Sequence, residues 1–131
     1  MRGGLIAAIL LASPAFGQEL VPVPSGQPVT FLDAIWNEPG PAGLTARFRF
    51  VAPQIAQQGG TVDFDTASAD MEALCNTYAL PRIETTTGPR PAQVVISLSD
   101  RPVEFGVISP DATQFFEAYS IVDGACIWEA F

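Results

Sequence analysis

Apolar and polar side chains alternate along residues 44–52 (LTARFRFVA). Phe48 and Phe50 fall on one face of an extended chain, and Arg47 and Arg49 fall on the other. Successive side chains of a β-strand point to opposite faces, so this period of two predicts a half-buried strand.

A second strand is expected just before it, at residues 29–38 (VTFLDAIWNE), which are rich in β-branched and aromatic residues. The intervening Pro-Gly-Pro-Ala-Gly sequence is typical of a turn, so the two segments predict a hairpin. Residues 18–28 contain three prolines and little apolar pattern, which predicts an extended lead-in.

The apolar spacing then changes to that of one helix face. The residues of this face are Ala67, Met71, Leu74, Cys75 and Tyr78. The residues expected on the solvent side are Asp70, Glu72, Asn76 and Thr77. Asp65 or Thr66 can cap the helix, and Pro81 is expected to end it.

Four further strands are expected, at residues 92–99, 103–108, 115–122 and 125–131. The last two are joined by Asp-Gly, which suits a two-residue type I′ turn because both central residues need a positive φ. The order β-β-α-β-β-β-β predicts an α+β fold, a mainly antiparallel sheet with one helix packed on it.

The two cysteines of the chain are predicted to form a structural disulfide bond. Cys75 lies on the apolar face of the helix, and pairing Val122 with Ala125 puts Cys126 on the same face as Tyr119. An even pair of cysteines in an oxidising compartment reads as a disulfide, and the absence of a Cys-x-x-Cys sequence argues against a redox pair.

The beginning of the chain has the pattern of a secretory signal. Arg2 precedes eight apolar residues at 5–12, which are too few for a membrane span of about 20. Small residues then suit cleavage after Gly17, with Ala15 as the alternative. No later segment is apolar enough to cross a membrane, so the expected location is the periplasm or the exterior.

The expected organisation is therefore a signal peptide at 1–17, the lead-in at 18–28 and a single α+β domain at 29–131. Without its first 17 residues the chain has 5 arginines against 14 acidic residues, a formal charge of −9. Such a chain is repelled by phosphate backbones and anionic lipids, so we expect neither nucleic acid nor a membrane surface as its partner.

The chain has no histidine and no lysine. It therefore cannot use a Ser-His-Asp or Cys-His nucleophile, a histidine zinc site or a lysine Schiff base. It also has no glycine-rich phosphate loop. We predict no catalytic residue, no cofactor and no metal site.

Acidic residues leave two chemistries to consider. Asp63, Asp65 and Asp70 could bind calcium, but their spacing does not follow the EF-hand loop and is also typical of an acidic helix N-terminus. Asp33, Glu38 or Glu117 could serve a glycosidase-like pair of carboxylates, although nothing in the sequence pairs them.

A contact surface is predicted at Trp36, Glu38, Arg47 and Arg49, next to the Pro-Gly turn. Interfaces favour tryptophan, and two arginines on one strand face can hold a carboxylate or phosphate. The alternatives are a core position for Trp36 and ordinary surface ion pairs for the arginines.

Three segments resemble a family of short, uncharacterised exported bacterial proteins: residues 31–50 (FLDAIWNEPGPAGLTARFRF), 95–106 (VISLSDRPVEFG) and 113–131 (TQFFEAYSIVDGACIWEAF). The resemblance implies a signal peptide, a small disulfide-containing domain and no established activity. Some similar sequences are labelled acetolactate synthase, but this chain has no diphosphate-binding motif.

The leading hypothesis is an exported, non-catalytic module that binds a macromolecule, with an envelope protein as the expected partner and the oligomeric state left open. The alternatives are a small-ligand or calcium carrier that uses residues 63–70, and a carboxylate-dependent hydrolase.

Overall fold

A five-stranded sheet and one long helix make up most of the molecule, as seen in a computed structural model that describes residues 19–130. The strands are β1 (Thr30–Gly40), β2 (Gly43–Val51), β3 (Gln93–Ser99), β4 (Gln114–Val122) and β5 (Ala125–Glu129). They lie in chain order, and every neighbouring pair is antiparallel except β2 and β3. The α+β class and the mainly antiparallel sheet are confirmed. The predicted signal peptide lies outside the described residues.

The helix connects β2 to β3, because parallel neighbours need a crossover between them. This helix, α1, is continuous and has three parts: α-helical Phe64–Leu74, a π-helical turn at Cys75–Ala79, and α-helical Leu80–Thr85. It follows a short 3-10 turn at Pro53–Ile55. Among residues 19–130 there is no helix with the length and apolar character needed to cross a membrane.

Both ends of the helix differ from the prediction. Its cap is Asp63, whose carboxylate accepts a hydrogen bond from the Thr66 N–H at 2.9 Å. The helix also continues past Pro81 to Thr85. Proline normally clashes with the preceding turn of an α-helix, but here that turn is π-helical, with the Leu80 N–H bonded to the Cys75 carbonyl.

The core lies between the helix and one face of the sheet. Its largest fully buried side chains include Phe48, Phe50, Met71, Leu74, Ile96, Leu98 and Tyr119. The Cys75–Cys126 disulfide is confirmed and ties the helix to β5, with its Cα atoms 6.2 Å apart. The expected pairing of Val122 with Ala125 is also confirmed.

The strand expected at residues 103–108 is wrong. These residues belong to a loop between β3 and β4. The reason is that β3 is already paired on both sides, with β2 and with β4, so no strand edge beside it is free. Pro102 and Gly106, which has a φ of 83°, also favour a loop.

The solvent-side position expected for Asp70 is wrong as well, because its side chain is completely buried. The lead-in folds back over that side of the helix. Asp70 accepts hydrogen bonds from the Ser25 N–H at 2.9 Å, the Ser25 hydroxyl at 2.6 Å and the Gln27 side-chain amide at 2.7 Å. One buried carboxylate therefore fastens the lead-in to the helix, in addition to the packing of Val21 and Val23 against the core.

Candidate functional site

The helix covers only one face of the sheet, and the opposite face holds the candidate site. We call this opposite face the open face. It consists of the outward side chains of the strands together with the loop at residues 100–113. Arg47 and Arg49 of β2 point to this face, as does Ser97 of β3, which is the register partner of Arg49.

Arg49 is held on the open face by three acceptors. Its guanidinium makes two parallel hydrogen bonds to Asp33, at 2.7 and 2.8 Å, and a third to the Val103 carbonyl at 3.0 Å. The first pair follows from the register, which places Asp33 directly opposite Arg49. Arg49 is only 7% exposed, so it is neutralised and built into the structure.

Arg47 is paired less completely. Its Nε donates to Glu38 Oε1 at 3.1 Å. A shift in register between Ile35 and Glu38 brings that carboxylate beside Arg47. The two arginines are thus balanced by two carboxylates, and the open face does not carry a net positive charge at this point.

Phe105 lies over both arginines, with its ring centroid 5.3 Å from the Arg47 guanidinium carbon and 5.6 Å from that of Arg49. These distances are within the range of cation–π contacts. The loop around Phe105 thereby forms one wall of a half-open cavity of about 280 Å³, lined also by Ser97, Gln114 and Phe116.

Exposed apolar side chains extend from this cavity, which Phe105, Val107 and Phe116 line, toward the β4–β5 turn. We call them the apolar patch: Phe105, Val107, Ile108, Phe116, Val122 and Ile127. Ile108 is 88% exposed, and the other five are each about half exposed, between 43% and 52%. Soluble monomers rarely expose large contiguous apolar areas, so this patch is a candidate interaction surface.

Apart from Arg47 and Arg49, which are paired with carboxylates, three charged residues within or beside the patch are acidic. Glu104 lines the cavity next to Phe105, and Asp123 is in the β4–β5 turn. Glu129 is paired across the strands with Ala118 and points to the open face. None of these three carboxylates forms an ion pair within residues 19–130.

A larger cavity, about 650 Å³, lies beside the same loop and has a mostly polar lining. It is lined by Asp100 and Arg101, among others. The Arg101 guanidinium and the Thr113 N–H hold the pKa of Asp100 below its ordinary value. That carboxylate is therefore engaged in structure, and Asp111 is the other carboxylate in the lining.

A third cavity, about 430 Å³, separates the lead-in from the helix. Leu20, Phe31 and Tyr78 line it, and the Arg82 guanidinium carbon lies 3.4 Å from the centre of the Tyr78 ring. It holds no group of acids or nucleophiles, so its chemistry is that of an apolar groove closed by an arginine.

The structure brings together three of the four residues predicted for a contact surface. Glu38, Arg47 and Arg49 meet on the open face. Trp36 does not join them: it packs edge-on against Phe48 on the helix side, with ring centroids 5.4 Å apart, and is 37% exposed.

The three candidate hydrolytic carboxylates do not converge. Asp33 and Glu38 are on the open face, each bound to an arginine. Glu117 is on the helix side, where it is 6% exposed and accepts a hydrogen bond from Trp128 Nε1 at 2.6 Å. A pair of carboxylates flanking one substrate is not formed by these residues.

The acidic segment proposed for calcium is also divided. Asp63 caps the helix, Asp65 is exposed, and Asp70 is buried against the lead-in. Within residues 19–130 there is no group of three or more acidic or cysteine side chains that could hold a metal ion.

Sequence reasoning missed most of the apolar patch. The local pattern predicts a strand at residues 103–108, which does not indicate the exposure of residues 105–108. A signal was nevertheless present in β4 and β5, since Phe115 and Phe116 are both apolar, as are Ile127 and Trp128. A strand that is apolar on both faces indicates that both faces are covered, by the core or by a partner.

Comparison with known families matches residues 7–131 to DUF6497, a family of unknown function, and the chain belongs to that family. No curated protein and no solved structure matches the chain.

Proposed function

We propose that this member of the DUF6497 family is an exported, non-catalytic protein that binds another protein of the cell envelope through its open face. The observation that carries the proposal is the apolar patch. Its six side chains are exposed because the helix covers the opposite face of the sheet and no other element of the described residues covers this one.

Its acid–base groups support a non-catalytic role. Asp33, Asp70 and Asp100 each accept two or more hydrogen bonds from fixed protein donors. Glu117 is covered by Trp128. A general acid or base needs a proton-transfer partner within reach, and these carboxylates face arginines, amides or hydroxyls that already bind them.

Export is supported by two features that do not depend on each other. The disulfide between Cys75 and Cys126 is expected to persist only where thiols are oxidised. The start of the sequence has the charge, apolar run and small residues of a secretory signal. Together they favour the periplasm as the place where the partner is met.

Site-specific photocrosslinking in the native cells tests the proposal. A photoreactive phenylalanine derivative would replace Phe116 or Ile127 on the open face, and Thr77, an exposed residue of the helix, would serve as the control position. We expect one stoichiometric protein adduct from the open-face positions in the periplasmic fraction and none from Thr77.

The other outcomes are equally informative. An adduct from Thr77 alone would keep the binding role and move the surface to the helix. The absence of a protein adduct at every position, or recovery of the protein in the cytoplasm, would overturn the proposed function.

A further inference from the structure

We propose that the β4–β5 half of the open face docks a basic surface of the partner, one that presents aliphatic or aromatic side chains around a lysine or arginine. This inference rests on the proposed function and specifies the chemistry of its partner. The juxtaposition that carries it is an unpaired carboxylate, Glu129, between Phe116 and Ile127 of the apolar patch.

The strand register fixes this arrangement. Glu129 is opposite Ala118, and Ile127 is opposite Ser120, so all four belong to the same face. Phe116 is two residues from Ala118 on that face and therefore lies diagonally across from Glu129, about 7–8 Å away between Cα atoms. Ile127 is two residues from Glu129, about 7 Å along the strand.

Covering this area has an electrostatic requirement. Burying an unpaired carboxylate is costly unless an opposite charge or hydrogen-bond donors accompany it. Glu129 has no ion pair among residues 19–130, and neither has Glu104 or Asp123 at the margins of the patch. A partner that buries Phe116 and Ile127 must therefore bring a cation or hydrogen-bond donors to Glu129, and the three carboxylates together favour a cation.

The same charges disfavour a second copy of this chain as the occupant. An isologous contact places the same patch on both sides, so acidic margins would meet acidic margins. Each copy without residues 1–17 carries a formal charge of −9, which adds repulsion at longer range.

Docking on this half of the face is also favoured over strand addition at the β5 edge of the sheet. The edge strand β5 has only five residues. Its Cys126 N–H already donates to the Asn76 side chain at 2.9 Å. A strand added at this edge would have to displace that hydrogen bond, which therefore protects the edge from pairing with another chain.

The test uses random 16-residue peptides displayed on phage and selected against the oxidised protein consisting of residues 18–131. We expect the selected peptides to combine lysine or arginine with aliphatic or aromatic residues. A synthetic peptide from this set should bind Glu129→Lys at least tenfold more weakly than the unaltered protein. Its binding should also weaken as NaCl is raised from 50 to 500 mM.

Glu84→Lys is the matched control, because Glu84 is an exposed glutamate near the end of the helix. This charge reversal should leave peptide binding within twofold. Ile127→Ser provides a variant that changes no charge and should also weaken binding. Selected peptides without basic residues, or equal effects of Glu129→Lys and Glu84→Lys, would refute the proposed chemistry.

Sedimentation of the free protein at about 100 μM separates a partner from a second copy. A monomer supports a separate partner, whereas a dimer that Ile127→Ser dissociates would show a self-interface and overturn the inference. The proposed function would survive the peptide result if photocrosslinking still captured a partner, so the two failures are distinguishable.

Discussion

Replacement of Asp70 with alanine should release the lead-in from the helix. Asp70 is fully buried and is the shared acceptor for Ser25 and Gln27. The carboxylate was expected at the solvent side of an amphipathic helix, where its removal would change little. In the structure it joins residues more than 40 positions apart in the chain.

The expected loss in the free energy of unfolding depends on whether each former donor can reach water after the substitution. A hydrogen bond to a charged group contributes about 1.5–3 kcal/mol, and a buried polar group left without a partner costs about 1–3 kcal/mol. Ser25 is exposed and can turn to water, whereas Gln27 is 7% exposed and cannot. We therefore expect Asp70→Ala to lower the free energy of unfolding by about 3 kcal/mol rather than by the sum of three bonds.

Asp70→Asn should be milder, at about 1 kcal/mol. Gln27 Oε1 is the one buried side-chain oxygen or nitrogen among the described residues that has no hydrogen-bond partner. The new amide group at position 70 can donate to that oxygen, while its carbonyl still accepts from Ser25. Part of the lost charge interaction is thereby replaced.

Urea unfolding followed by tryptophan fluorescence measures these changes, with Glu84→Ala as the exposed control expected within about 0.5 kcal/mol of the unaltered protein. A double-mutant cycle of Asp70→Ala with Gln27→Ala should give a coupling of about 1–2 kcal/mol. A loss below 0.5 kcal/mol for Asp70→Ala, or full additivity with Gln27→Ala, would refute the reasoning.

Three further predictions concern other parts of the fold. Replacing both Cys75 and Cys126 with alanine should lower the free energy of unfolding by about 4 kcal/mol, the chain-entropy value for a 51-residue separation, and dithiothreitol should reproduce the loss in urea titrations of the unaltered protein. Burial, with the nearby carboxylates, raises the pKa of Tyr119 above its ordinary value. The contribution of Tyr119 to the free energy of unfolding should therefore be constant below about pH 10 and fall as the pH rises beyond that value. Tyr119→Phe should remove this fall in thermal melts between about pH 8 and 11. Arg49→Lys should cost about 1–2 kcal/mol in the same urea assay because lysine cannot make the two parallel bonds to Asp33; a cost equal to that of Arg82→Lys would contradict this.

The local periodicities predicted much of the fold. The alternation in β2, the Asp-Gly turn and the apolar helix face each depend on a few neighbouring residues, and the structure confirms all three. The disulfide was predictable for the same reason, since two such patterns independently directed Cys75 and Cys126 to the core.

Most of the predictions that are wrong depend on residues far apart in the chain. The parallel pairing of β2 with β3 leaves residues 103–108 without a free edge, and no local pattern reports this. Burial of Asp70 depends on Ser25 and Gln27. The π-helical turn before Pro81 likewise overrides a rule that is valid for a regular α-helix.

The candidate site was predictable in part. Two arginines two residues apart on an alternating strand had to share a face, and Glu38 was grouped with them in the sequence. Trp36 is close to them in the chain, but it keeps the alternation of Ala34 and lies on the helix side, whereas the register shift after Ile35 turns Glu38 to the open face. The loop part of the apolar patch, at Phe105, Val107 and Ile108, could not be recognised because the local pattern predicts a strand there.

The positions of the two cysteines have a consequence for proteolysis. The loop at residues 100–113, with its exposed tip at Val107 and Ile108, is the kind of segment that proteases cut first. A cut there separates a piece containing Cys75 from a piece containing Cys126, and the S–S bond keeps the two pieces together. The hydrogen bonds between β3 and β4 also remain and keep the two pieces in one sheet. The nicked protein would therefore migrate as one species until it is reduced, and loss of the loop would remove part of the docking surface without dissolving the domain.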